Sequence, residues 1–196
     1  MSRRSPSKIA VLASSVLASS FVAPSVHPAA AAGVDAATET RVHGCLTAAA
    51  AAHRLPAAVL VILLKVEGGS LGRVSRNTNG TSDIGPLQVN TIWVPKIARR
   101  WGTTPEAAFL ALRDNLCANF EGGAWILRRA LDEARGDFWG GVAIYHSHTP
   151  ERQRRYLRGV LDWTRRLQAQ AQAQTRAAED RADAPPPRPA RPGAKG

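Results

Sequence analysis

VLVILLKVEGGSLGRVSRNTNGTSDIGPLQVN, Val59 to Asn90, joins an apolar run to a polar loop through a single carboxylate, Glu67. The run Val59 to Val66 is apolar on most faces, the pattern of a central buried helix rather than an amphipathic surface one. Gly68-Gly69 stops it, which sets Glu67 in the last helical turn, between core and loop. Partial burial disfavours the charged form of a carboxyl and raises its pKa. The negative end of the helix acts in the same direction. Such a carboxyl suits general acid work near neutral pH. The Asn-, Gly- and Ser-rich loop after it offers amides and backbone groups to a ligand rich in hydroxyls. The plainer reading is a solvated Glu at a helix end, followed by a turn region.

Composition narrows the class. The chain has 196 residues, 44% hydrophobic and 21% charged, which fits one globular core with extensions rather than a wholly disordered chain. The net charge of +11 suits nucleic acid, an anionic membrane surface or an acidic polymer. The basic residues are scattered without interleaved stacking rings, so nucleic acid is not an expected partner. Arg3, Arg4 and Lys8 precede an Ala- and Ser-rich apolar segment, Ile9 to Val22, and small residues around Ala29-Ala30-Ala31. This order predicts a cleaved export signal over residues 1–32 and no lasting membrane insertion, against the plainer readings of an uncleaved anchor or an Ala-rich disordered leader. In an exported chain the two cysteines, Cys45 and Cys117, favour a disulfide. Their spacing matches no metal site, and no cofactor is expected.

The rest of the chain reads as helical. Helices are predicted from Cys45 to His53, from Pro56 to Val66, from Pro86 through Trp93 to Arg100, and from Pro105 to Leu112 with Thr104 as cap. Asp114 is expected to cap a helix to Ala134, whose positions 117, 120, 124, 127 and 131 form one apolar face. Phe138 to Tyr145 and Pro150 to Leu167 complete the set. A hairpin at Asn79-Gly80 is the only β structure expected. Residues 168–196, ending in a Pro/Arg-rich run, read as a disordered tail, although the Gln/Ala run over 168–174 also allows a longer last helix.

The set Glu67, Asn77-x-Asn79-Gly80, Asp83-x-Gly85-Pro86-x-Gln88-x-Asn90 and Trp93 resembles the soluble lytic transglycosylase family. It is most similar to the small periplasmic members that accompany conjugation, type IV and other secretion machines, which together with the export signal implies a periplasmic protein. The resemblance spans about residues 43–167 and implies a mainly α, lysozyme-like domain. One departure is Gly68, where many members carry Ser after the catalytic Glu. The resemblance implies that Glu67 serves alone, first as acid and then as base. Gln88 then faces the cleft, and Asn90, Asn79 and His146 join it in binding substrate. Gly141-Val142-Ala143-Ile144-Tyr145-His146 is similar to the family segment whose Tyr lies near that Glu, though His146 replaces Asn.

Each of these residues has a structural alternative. Gln88 reads equally as a surface amide, Asn79 as a turn residue and Tyr145 as a buried anchor. Asp83 is read as structural, capping the turn to Gly85 by accepting backbone N–H groups. His146 and His148 read as polar or substrate-facing, not as a metal pair. Trp93, Trp125 and Trp139 read first as core residues, with Trp93 a candidate sugar platform. The implied activity is cleavage of the β-1,4 bond between N-acetylmuramate and N-acetylglucosamine, leaving a 1,6-anhydro end. The implied partners are peptidoglycan strands and secretion or conjugation components. Two rivals are a lysozyme-type hydrolase and a glycan-binding assembly protein without activity. A basic DNA-binding helical protein is disfavoured by the export signal.

Overall fold

The structure, a computed structural model, describes residues 36–183. The expected signal over residues 1–32 and the proline-rich run from Ala184 lie outside them. Seven helices are described: α1 (Ala36–Ala52), α2 (Ala57–Glu67), α3 (Val94–Trp101), α4 (Pro105–Asp114), α5 (Leu116–Glu133), α6 (Phe138–His146) and α7 (Pro150–Ala182). Between α2 and α3 lie three short strands, β1 (Val74–Arg76), β2 (Ser82–Ile84) and β3 (Val89–Asn90), and a 3-10 turn (Thr91–Trp93). The protein is therefore mainly α with a small antiparallel sheet in the order β1-β2-β3.

The apolar run does become a helix, buried along Val59, Leu60 and Leu63 and half-buried at its other apolar residues. Leu60 and Leu63 of α2 are fully buried, and Gly68 ends the helix in the left-handed region, its N–H bonding Leu64 O. α2 packs on α1 and α7, while α5 packs on α1, α4 and α6. The predicted face of α5 is real: Phe120, Ala124, Leu127 and Leu131 share one core with α1, α2, Val142 and Tyr156. A second core joins Ile84 and Val89 of the sheet to Ile97, Ala108, Leu112 and Ile126. Tyr145 packs against both cores. Cys45 of α1 and Cys117 of α5 are disulfide-bonded with Cα atoms 4.8 Å apart. Closing so long a loop stabilises the fold by about 4 kcal/mol in the chain-entropy description. On the same pair of helices, Glu121 accepts from Trp101 Nε1 at 2.7 Å and pairs with buried His53 at 3.0 Å, tying α5 to α3 and to the end of α1.

Several expectations need correction. The sheet has three strands, not a lone hairpin, because Val89 pairs with Ile84, which pairs with Val74. Pro86 to Asn90 is a tight turn and a strand, not a helix; Gln88 adopts φ 48, outside the helical region. α1 starts nine residues before Cys45, at Ala36, with Glu39 in its first turn where the helix dipole favours an acid. Asn115, not Asp114, caps α5 by accepting from Ala118 N at 3.2 Å, because α5 begins at Leu116 and Asp114 is still the last residue of α4, paired with Arg113 at 2.7 Å. α7 continues to Ala182, so residues 168–182 are helical rather than tail. Their Ala, Gln, Arg and Glu are strong helix formers.

Candidate active site

Glu67 stands at the last turn of α2, half-buried between core and loop. Tyr156 of α7 donates from its hydroxyl to Glu67 Oε1 at 2.6 Å. Burial is the largest influence on the carboxyl and pushes its pKa from 4.5 up to about 7. The Tyr156 bond pulls it back down, and the negative charge of Asp83 adds a smaller upward push. Tyr156 and Tyr145 are both held well above the usual phenol range, by burial first and by Glu67 second, so both remain neutral donors.

Asp83 lies in β2, and its side chain is tied within the sheet. Asn90, directly opposite in the register, donates to Oδ1 at 2.7 Å, and Asn77 donates to Oδ2 at 2.9 Å. Asp83 is structural as expected but bonds side-chain amides rather than backbone N–H groups, since pleating aims it across the sheet at Asn90. Both amides also reach Thr81 Oγ1, at 3.1 and 3.0 Å. Asn79 Oδ1 accepts from Thr81 N and Oγ1, which makes it a turn residue. Asn90 Oδ1 accepts from Ile92 N, so the Asn90 amide is engaged inside the protein at both ends.

The turn Gly85 to Gln88 is pinned from three sides. Gly85 adopts φ +67, and a Cβ there would collide with the Asn119 side chain. Asn119, fully buried in α5, accepts from Leu87 N at 2.8 Å and donates to Ile84 O and Leu112 O at 2.9 Å each. Tyr145 donates to Leu87 O at 2.8 Å. Gly69 lies so close that a Cβ on it would overlap Gly85 O and stand 2.5 Å from Gln88 Nε2. The loop after Glu67 is thereby pressed on the turn that carries Gln88. Gln88 Nε2 donates to Gly85 O at 2.8 Å, and among the described residues nothing donates to its Oε1.

His146 lies parallel to the Tyr156 ring, centroids 4.3 Å apart and planes 6° apart. Burial and Arg152 lower its pKa against a weaker upward pull from Asp83, so the stacked ring is neutral at neutral pH. Glu67, Tyr145, Tyr156, His146 and Asp83 thus gather where α2, α6, α7 and the sheet meet. Tyr145 also lines a groove of about 390 Å³ together with Trp93, Ile126, Arg129, Glu133 and His148. His148 bonds Glu133 at 2.8 Å. Trp93 and Trp125 are half-buried, but Trp139 is 45% exposed, against the core reading.

Three residues of this site escaped the sequence reading: Tyr156, Asn119 and Gly69. Tyr156 and Val160 are spaced four apart and form the buried stripe of an Arg-rich helix, a signal that could have marked Tyr156. Asn119 is the lone polar side chain inside the apolar face of α5, and a buried amide needs partners. No protein-family model matches the chain, and no curated protein sequence matches it.

Proposed function

We propose that the protein is a peptidoglycan-cleaving enzyme of the lytic transglycosylase kind, built on a lysozyme-like domain, with Glu67 as its single acid and base. One observation carries the reading. Burial holds the Glu67 carboxyl at a pKa of about 7, while the neighbouring Asp83 has both oxygens occupied by Asn90 and Asn77. A two-carboxylate glycosidase needs its second carboxylate open to attack the sugar or to activate water. Asp83, bonded at both oxygens, is poorly suited to that role, which supports a one-carboxyl route.

In that route protonated Glu67 gives its proton to the glycosidic oxygen, and the bond from C1 to that oxygen breaks. The N-acetyl carbonyl of the same sugar stabilises the cation at C1. Glu67, now a carboxylate held by the Tyr156 hydroxyl, takes the proton of the C6 hydroxyl. O6 then bonds to C1, closing the 1,6-anhydro ring and returning Glu67 to its acid form with no water consumed. Gln88 Oε1 is available to accept from a substrate N–H or hydroxyl. Tyr145 and His146 border the reacting sugar, Tyr145 fixing the Gln88 turn and His146 backing Tyr156. Export to the periplasm and local wall opening for a secretion or conjugation apparatus belong to the same proposal and rest on the sequence resemblance.

The test is release of soluble fragments from purified peptidoglycan. Glu67→Gln is expected to lower the rate about 1000-fold, within the range for loss of a general acid or base. Asp83→Asn is expected to stay within about tenfold of the parent, since only one acceptor in its amide network is lost. Equal loss in both variants would favour a two-carboxylate hydrolase instead.

A further inference from the structure

The groove beside Tyr145 has an aromatic wall with cations lying on it. Trp93 and Trp125 meet edge to face, centroids 5.8 Å apart. Lys96 Nζ stands 4.6 Å from the centre of the Trp93 ring. The Arg129 guanidinium lies 6.0 Å from Trp93 and 5.3 Å from Trp125. Rings covered in this way are poor sugar platforms, but they order the cations that cover them. An ordered cation loses less side-chain freedom when it takes an anion.

Arg129 lines the groove, and Lys96 stands on the Trp93 ring that forms its wall; the other charges there are paired. Asp132 is paired with Arg128 at 2.7 Å, and Glu133 with His148 at 2.8 Å. Arg100, the third cation on the wall, leans toward Glu121 at 3.4 Å. Among the described residues, neither Arg129 nor Lys96 forms an ion pair, and both are exposed. Tyr145 lines the groove, and its hydroxyl donates to Leu87 O in the turn that carries Gln88. A strand bound at Glu67 and Gln88 that runs on past Tyr145 passes this wall. An arginine fork matches a carboxylate in shape and charge.

We infer that Arg129 and Lys96 form a carboxylate-binding subsite that reads the acidic peptide stems of the glycan strand, so that peptide-bearing strands are preferred over stripped ones. The inference rests on the peptidoglycan reading above and deepens it. Its test is binding rather than turnover. The full chain carrying Glu67→Gln is titrated with soluble glycan strands before and after enzymatic removal of their peptides. Peptide-bearing strands are expected to bind about tenfold tighter, equivalent to about 1.4 kcal/mol, and added salt should shrink the difference. Adding Arg129→Gln and Lys96→Gln should bring both strands to the affinity of the stripped one. A preference that survives the double change overturns the subsite, as does an equal loss on both strands. Should the double variant fail to fold by circular dichroism, Lys96→Glu alone must weaken the preference, or the subsite is wrong. A parent that cleaves peptidoglycan but binds both strands alike sinks the subsite and spares the enzyme reading. A protein that binds neither strand sinks both.

Discussion

Ionising Glu67 is opposed by burial and by Asp83, and this has a sign that stability measurements can read. With its pKa raised from 4.5 to about 7, the folded chain keeps a proton that the unfolded chain gives up in that interval. Stability therefore falls as pH rises from about 4.5 to about 7 and levels off above it. Glu67→Gln removes the charge and keeps an acceptor for Tyr156. It should stabilise the protein by on the order of 2 kcal/mol at about pH 8, allowing for partial exposure, and by nothing at about pH 4. Denaturant melts at the two pH values check this. Catalysis carries the same signature, since activity should fall above about pH 7 as the acid form is lost. Tyr156→Phe removes the bond that lowers the Glu67 pKa, so the alkaline limb should move to higher pH while the rate drops. A pH–rate profile in which the limb stays in place, or moves down, would contradict the role given to Tyr156.

At the scale of elements, what was legible followed the length of the pattern. α2 was readable because an unbroken apolar run ends in two glycines, and α4 because Thr104 and Pro105 mark its start. Thr104 Oγ1 does accept from Ala107 N at 3.2 Å. The sheet was only half readable because strands of three and two residues are too short to show alternation, and β3 is defined by partners across the turn. α7 was cut short at Leu167 because the expected helix ended where its apolar residues end. Its later part is held by propensity rather than burial, with only Tyr156 and Val160 buried along its whole length. A chain ending after Leu167 should therefore lose helical circular dichroism yet melt within about 1 kcal/mol of the parent, in line with exposed segments elsewhere. A large drop in melting temperature would show that residues 168–182 pack on something.

At the scale of the whole molecule, the candidate site lies where two cores meet, with Tyr145 touching both. Glu67 and Tyr145 could be picked out from local sequence, since each sits in its own short motif. The spacing of Tyr156 and Val160 could mark Tyr156 as buried, but its bond to Glu67 spans 89 residues and no local pattern states that contact. Asn119 likewise acts through backbone atoms of β2, α4 and the Gln88 turn, which only the folded chain brings together. The disulfide was expected from two cysteines in a chain read as exported, and it ties α1 to α5. Of the cations behind the net charge of +11, Arg129 and Lys96 lie on the Trp93 and Trp125 rings, where the proposed carboxylate subsite would use them. The most direct measurement is mass spectrometry of fragments from peptidoglycan digested in ¹⁸O-labelled water by the parent and by Glu67→Gln. Anhydro-muramyl ends without label, absent from the variant digest, are the expected result. Reducing ends carrying the label would contradict it and make water, not the C6 hydroxyl, the nucleophile.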